Sequence, residues 1–365
     1  MMRILHAHST FSLGGKEARA VRLMNALGDA ARHTIISAMP DALDARDAIA
    51  PGVSYQIGQG APSLTGRPSV RRYREIAEYL TRFDLVLTYN WGAMDVVMAR
   101  RIHPRACQRL VHHEDGFNAD ESVRLKTERT WFRRVALPAA DALAVPSTTL
   151  ERVALDIWKQ PRDRVHRINN GIDVAAYANK PDARALPGFR RRAGEVVVGT
   201  VAGLRAVKNL PRLVRATLAI PNTRLVIVGE GPERSAIVAA AQAMGVADRL
   251  SLPGFVRDPA RYLGLFDIFA LSSDSEQFPI ALVEGMAAGL PVAATDVGDV
   301  RIMLSEDNRR FATERADLAL GAALRQLVAD PALRRRLGDA NRRQARERFD
   351  ETIMIDAYRR LYHCD

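Results

Sequence analysis

Glu276 and Glu284 enclose the segment E-Q-F-P-I-A-L-V-E, which runs straight on into G-M-A-A-G-L-P-V-A-A-T-D. The residues between them read as the opening of a helix. Proline suits the first helical position, where a missing N–H costs nothing, so Pro279 marks the start and Gly289 the residue just past the end. The run from Pro291 to Thr295 then reads as a short buried strand. The amino end of such a helix offers unpaired N–H groups and the positive end of a dipole, which suits a phosphate. A carboxylate just ahead of that end accepts hydrogen bonds from hydroxyls beside the phosphate, and Glu284, further along, can do the same for a ribose. The chemistry implied is recognition of a nucleotide sugar.

A second group lies upstream in the same half. The strand-like run Val196–Val201 ends in A-G-L-R-A-V-K-N, which puts Arg205 and Lys208 in the loop before a helix starting near Asn209–Pro211. Arginine offers a planar fork and lysine a compact charge, and together they suit a diphosphate, including the negative charge that develops as one departs. The alternative is two solvated basic residues on a loop. Their position at a strand end, in the same half as the two glutamates, favours phosphate.

The first half carries looser signals. Its opening strand leads into S-T-F-S-L-G-G-K-E, where Gly14 and Gly15 would let backbone approach a phosphate or sugar, although ordinary turn glycines read the same way. The run His112-His113-Glu114-Asp115-Gly116 ends another strand. Neighbouring side chains on extended backbone point to opposite faces, so these four do not converge on a metal, and no D-x-D sequence is present. A carboxylate or imidazole here would accept a proton from an acceptor hydroxyl or hold a sugar hydroxyl; otherwise these residues simply end a strand. Segment 124–137 places Trp131 and Phe132 among basic residues. That fits either contact with an anionic membrane or a lipid-linked acceptor, or a helix whose aromatics pack inward.

The elements that must position these groups alternate as short apolar runs and longer helix-periodic segments, the pattern of parallel α/β architecture. Strands are expected near Arg3–Ala7, His33–Ala38, Asp84–Tyr89, Arg109–His113 and Ala142–Val145, then Val196–Val201, Arg224–Val228, Arg249–Leu252, Ile268–Leu271 and Val292–Ala294. Helices are expected at Glu17–Leu27, Val70–Arg82, Asp120–Leu137 and Glu233–Met244. The weakly patterned stretch Val174–Gly194, rich in Ala, Pro and Arg, reads as a linker with the boundary near Asp173–Gly188. The expectation is an α/β protein of two doubly wound, Rossmann-like domains facing a central cleft. One spans 1–175, with a last helix from 351–365 packing back on it, and the other spans 176–350. In such sheets ligands bind outside the carboxyl ends of the strands, and each motif above falls at such an end.

Bulk properties bound the partners. The chain has 365 residues, 47% hydrophobic content and a net charge of +11, so it is long enough for two cores and is suited to an acidic partner. It has two cysteines, Cys107 and Cys364, without metal-type spacing, which fits a reduced cytoplasmic setting. No apolar run approaches the length of a membrane span, and the start lacks the apolar core of a secretory signal, so a cytoplasmic protein, peripheral at most at the inner face of the membrane, is expected. The Arg-rich segment after Val328 reads as a solvated face. No recognition helix, zinc-finger spacing or stacking platform turns the basicity into nucleic-acid binding.

With these residues in place, the chain resembles the retaining GT-B glycosyltransferases of the family-four type. The resemblance rests on the G-G loop, A-G-L-R-A-V-K-N, V-G-E-G-P-E, L-P-G-F-V-R-D, the two-glutamate helix and G-L-P-V-A-A-T-D-V-G-D. It implies that Arg205 and Lys208 hold the donor diphosphate, with Gly203 in the same loop, that Glu284 binds the ribose and that Glu276 binds the donor sugar. Phe255 and Val256 would lie near the base. Phe278, Pro279, Ile280 and Ala281 would give contacts near the sugar and phosphates, and Gly14 and Gly15 would approach the donor from the other domain. Asp115 stands where relatives often carry histidine, with His113 close by, and Gln277 replaces a common glycine. The implied activity is transfer of a sugar from a UDP- or GDP-sugar to a hydroxyl of a saccharide or lipid-linked saccharide in polysaccharide or glycolipid biosynthesis, with retention, the nucleotide sugar being a substrate, and no cofactor or metal. The alternatives are an enzyme similar to UDP-N-acetylglucosamine 2-epimerase, which would change the donor sugar without an acceptor, and a non-catalytic nucleotide-sugar-binding subunit.

Overall fold

The computed structural model describes all residues except 13, 118–120, 122–123 and 365. The chain divides into two compact units, Met1–Asn170 with Met354–Asp365, and Gly171–Ile353.

The first unit is built on strands β1 (Met2–His8), β2 (Ala31–Ser37), β3 (Tyr55–Ile57), β4 (Leu85–Tyr89), β5 (Arg109–His113), β6 (Ala142–Val145) and β7 (Val165–Arg167). Helices α1 (Gly15–Leu27), α2 (Val70–Leu80), α3 (Met94–Ile102), α4 (Thr127–Ala136) and α5 (Thr148–Arg152) lie between them. The strands are all parallel, in the order β3-β2-β1-β4-β5-β6-β7. Alternation along a strand decides what each face buries. Leu5, Ala7 and Val86 pack with residues of α2 and α3, whereas Ile4, Leu85 and Leu87 pack with α1 and the chain's last helix.

The second unit contains β8 (Val196–Val201), β9 (Thr223–Val228), β10 (Leu250–Gly254), β11 (Ile268–Leu271), β12 (Val292–Thr295) and β13 (Ala312–Thr313). With them go α6 (Leu210–Leu218), α7 (Arg234–Ala243), α8 (Ile280–Ala287), α9 (Val300–Met303), α10 (Asp317–Ala329) and α11 (Pro331–Arg348). Its sheet is also parallel, ordered β10-β9-β8-β11-β12-β13. The order reverses between β8 and β11, the switch point at which open α/β sheets bind ligands. Helix α12 (Glu351–Tyr362) follows, and from Met354 onward the chain groups with the first unit, where Met354, Tyr358, Leu361 and Tyr362 are buried. Both units are thus doubly wound α/β sheets.

Three strands are absent from the sequence reading. β3, β7 and β13 have two or three residues each, too short to show a period, and only their pairing with a neighbour makes them strands. The stretch 174–194 is not a bare linker: Val174, Leu186 and Phe189 are buried in the second unit's core. Its apolar residues are too widely spaced to reveal a face by pattern alone. The expected helix Asp120–Leu137 falls partly outside the described residues, and the described helix there is α4.

Candidate functional site

The site in the second unit is assembled at the switch point from the loops that follow β8 and β11. After Val201, the chain passes Gly203 and Arg205 into a short turn at Ala206–Lys208. Asn209 then takes a left-handed conformation (φ 42°) and α6 begins. This loop is clamped by its neighbours. The Leu204 amide donates to the Glu230 carbonyl at 2.9 Å and the Glu233 amide to the Leu204 carbonyl at 3.0 Å, which ties it to the turn after β9. That turn needs its glycine: Gly229 has φ 147°, and a Cβ there would lie 1.9 Å from the Ala202 carbonyl oxygen. The V-G-E-G-P-E segment therefore acts by letting two loops pack backbone to backbone.

The loop after β11 is fixed to the same place. The Asp274 amide donates to the Val207 carbonyl at 2.8 Å, and the Ser272 hydroxyl donates to the Lys208 carbonyl at 2.9 Å. Arg212 of α6 donates to the Asp274 carboxylate at 2.7 Å. The structure thereby brings together two residues far apart in sequence: the Lys208 ammonium lies 2.5 Å from Oε1 of Glu276, which also accepts from the Ser273 hydroxyl at 2.7 Å. Both side chains are largely enclosed, at 17% and 11% exposure. Arg205 is exposed and, among the described residues, its guanidinium enters no ion pair. A paired lysine and an unpaired arginine thus share one loop.

Helix α8 opens directly beyond Glu276. Pro279 occupies its cap position, with ψ 107°, rather than the first helical residue, and Ile280 and Ala281 form the first turn. Among the described residues no side chain caps that end; the Leu282 amide turns back to the Pro279 carbonyl at 3.1 Å, and the amides ahead of it are the ones a ligand could take. The other end closes as expected. Gly289 has φ 76°; its amide donates to Met286 and the Leu290 amide to Gly285, at 2.9 and 3.0 Å, the paired bonds of a glycine-terminated helix. Phe278 is buried against Phe349 with ring centroids 5.5 Å apart, so its contribution toward the loop is backbone. The loop after β12 supports the glutamate from behind, because a Cβ on Gly298 (φ 56°) would lie 2.2 Å from the Glu276 carbonyl oxygen. Glu284 is carried on α8 and influences the buried Tyr262, whose hydroxyl is pushed well above its ordinary range by burial first and by the Glu284 charge second. The Tyr262 hydroxyl donates to the Val256 carbonyl at 3.4 Å, which puts Glu284 and Val256 in one neighbourhood. Phe255 beside it is 58% exposed, an apolar ring offered to solvent.

In the first unit the residues expected near an acceptor separate into two kinds. His113 is fully buried. Its Nδ1 faces the Thr88 carbonyl at 3.1 Å and its Nε2 the Tyr362 hydroxyl at 2.7 Å, so neither nitrogen is open to an acceptor. Burial holds its pKa well below the ordinary value, with Arg19 adding to the effect. Its expected role is corrected to one of packing the last helix. Asp115 keeps some exposure and is gripped through both oxygens by the buried Arg19, one contact at 2.9 Å, while its amide donates to Asn90 Oδ1 at 2.7 Å. Glu114 points into a buried cluster. Burial alone would raise its pKa, but Arg133 and His112 outweigh that and hold it below the usual carboxylate value. Gly15 begins α1 and Gly14 caps it in extended conformation. Arg19 and Arg133 carry no sequence signal of their roles, since an arginine in a helix reads as surface until its partner is known.

On α4, Phe132 is partly buried and its ring meets that of Trp91 at 5.4 Å, but Trp131 is 60% exposed and Val135 48%. The inward-packing reading of both aromatics is therefore corrected for Trp131.

Two family models match the chain: the one described as Glycosyltransferase Family 4 over residues 13–176, and the one described as Glycosyl transferases group 1 over residues 187–344. The lipopolysaccharide core biosynthesis glycosyltransferase LpsD of Rhizobium meliloti (strain 1021) is 26% identical over 369 residues, covering 99% of this chain and 98% of its own. Among solved structures, sucrose-phosphate synthase from Thermosynechococcus elongatus superposes with a TM-score of 0.78 at 21% identity, covering 100% of both chains. Anabaena HepE in complex with UDP-glucose does so with a TM-score of 0.76 at 20% identity, covering 99% of both. These two structures are similar in fold.

Proposed function

The chain belongs to the GT-B family-four glycosyltransferases, enzymes that transfer sugars, and from that premise we propose that its second unit holds a UDP- or GDP-sugar whose sugar passes to a hydroxyl of a saccharide or lipid-linked saccharide. The observation that carries this reading is the Lys208–Glu276 pair, fixed at the sheet's switch point just ahead of an uncapped helix end. Cation, carboxylate and helix N–H groups are the complement of a diphosphate next to sugar hydroxyls. The UDP-glucose held by the similar fold of HepE supports the same class of donor.

In this reaction Lys208 and Arg205 offset the charge that builds on the diphosphate as the bond from C1 of the sugar to the phosphate oxygen breaks. The α8 N–H groups do the same. Glu276 accepts hydrogen bonds from sugar hydroxyls and Glu284 from the ribose, while Phe255 and Val256 lie beside the base. The acceptor oxygen attacks C1 on the face the diphosphate leaves, and a departing phosphate oxygen takes the acceptor's proton, so anomeric configuration is retained. The protein's contribution is positioning and charge, and no metal ion takes part. In the first unit Asp115 is the carboxylate available to an acceptor hydroxyl.

A thermal-shift panel of UDP-, GDP- and ADP-sugars tests the donor assignment, since a ligand at about a hundred times its Kd adds about 2.7 kcal/mol of stability. One base should dominate. The product of that donor should keep the donor's anomeric configuration by proton NMR, and EDTA should leave the rate unchanged. No shift with any nucleotide sugar refutes the reading. The exposed Trp131 and Val135, on a helix that also carries Arg129 and Arg134, favour a second element, contact of α4 with an anionic membrane carrying the acceptor. No helix among the described residues is long and apolar enough to cross a membrane.

A further inference from the structure

Gln277 sits between Glu276 and the opening of α8, and its side-chain amide oxygen is buried without a hydrogen-bond partner. Among the described residues it is the one amide or carboxylate oxygen in that state; the other orphaned atoms are ring nitrogens, hydroxyls or N–H groups of arginine and tryptophan. An orphaned N–H of arginine is a small loss for a group with five donors. A buried amide oxygen without a donor loses its full hydration with nothing in return. The backbone here is held at the same time. The Gln277 carbonyl accepts from the Asp299 amide at 3.3 Å, and Gly298 presses against the Glu276 carbonyl, so the side chain sits on a braced turn. In the preceding side chain, Glu276, one carboxylate oxygen already holds Lys208 and Ser273. Gln277 therefore gives this turn a buried oxygen that lacks a hydrogen-bond donor.

We propose that Gln277 sets specificity for the transferred sugar: its amide oxygen accepts a hydrogen bond from a hydroxyl or amide N–H of that sugar, so the site takes neutral hexosyl donors and discriminates against uronosyl donors. A sugar carboxylate would bring two more acceptors against an oxygen that cannot donate, beside the Glu276 carboxylate. A neutral hexose supplies the missing donor. The inference rests on the donor reading above and adds which feature of the sugar is read.

The test measures binding of three ligands by calorimetry: the free nucleoside diphosphate with the preferred base, its hexosyl ester and its uronosyl ester (UDP, UDP-glucose and UDP-glucuronate, or the GDP counterparts). Wild type should bind the hexosyl ester at least about tenfold more tightly than the uronosyl ester, and Gln277→Leu should lose most of that ratio while binding the free diphosphate within about twofold of wild type. Gln277→Glu keeps the acceptor and should keep the ratio. The unliganded melting temperature of Gln277→Leu should not fall, because the change removes an unpaired buried oxygen. An equal loss for diphosphate and ester, a wild type indifferent to the carboxylate, or a lowered unliganded melting temperature would overturn the proposal. Failure of all three ligands to bind wild type would instead refute the donor reading on which it stands.

Discussion

The two members of the Lys208–Glu276 pair should respond to substitution with opposite signs when a free nucleoside diphosphate is the ligand. The ammonium and carboxylate are 2.5 Å apart and mostly shielded, so before ligand binding each neutralises the other. A diphosphate must draw Lys208 away from Glu276. A unit charge about 4 Å from a phosphate is worth about 4 kcal/mol at an effective dielectric of about 20, and desolvation and the lost glutamate contact reduce the net to about 2–3 kcal/mol. Lys208→Met keeps the apolar stem and removes the charge, leaving Glu276 unpaired beside the anion. Its Kd for UDP or GDP should rise about 30- to 150-fold. Glu276→Gln removes the competing carboxylate but keeps an oxygen for Ser273. A partly exposed pair of this kind contributes about 1 kcal/mol, so releasing Lys208 should tighten the free diphosphate by up to about fivefold. The same variant should lose about 1.5–3 kcal/mol in kcat/KM with the intact donor, because the sugar hydroxyls lose a charged acceptor. Calorimetry on both single variants and the double variant gives the coupling directly. If Glu276→Gln weakens the diphosphate as Lys208→Met does, the pair is a structural brace and the site argument fails.

Two further outcomes are expected in the first unit. His6, His8 and His113 are buried with pKa values well below the ordinary 6.5, chiefly through desolvation, and His33 is pushed down to about 4. The unfolded chain therefore binds more protons below the ordinary value, and stability present above it is lost as pH falls toward the folded values. All three tryptophans, Trp91, Trp131 and Trp158, lie in this unit, so their fluorescence in urea titrations at pH ~7.5 and ~5.5 reads it alone, and an unchanged midpoint would contradict the burial of these rings in neutral form. Trp131→Ser should weaken sedimentation with phosphatidylglycerol vesicles about tenfold while sparing donor binding; undiminished sedimentation would remove α4 from any membrane contact.

Much of the second unit's site was legible because its signals are local. Pro279 and Gly289 bracket a helix by backbone rules that hold without tertiary context, and β8 and β11 have the four to six apolar residues that make a strand visible. The first unit was less legible. Nothing in H-H-E-D-G separates His113, sealed under Tyr362, from Asp115, held by Arg19, because both partners come from distant helices. The same applies to Trp131 and Phe132, neighbours on one helix with opposite exposure.

The sequence by itself determined the alternation of strands and helices, the placing of polar motifs at strand ends, and the residue types suited to a sugar diphosphate. These follow from periodicity, caps and side-chain chemistry, which act over a few neighbouring residues. Only the tertiary structure decided which charges meet. Lys208 and Glu276 are joined because the strands before them, β8 and β11, are hydrogen-bonded neighbours, although β9 and β10 lie between them in the chain. Strand order is set by how whole faces bury against helices, and no local pattern encodes it.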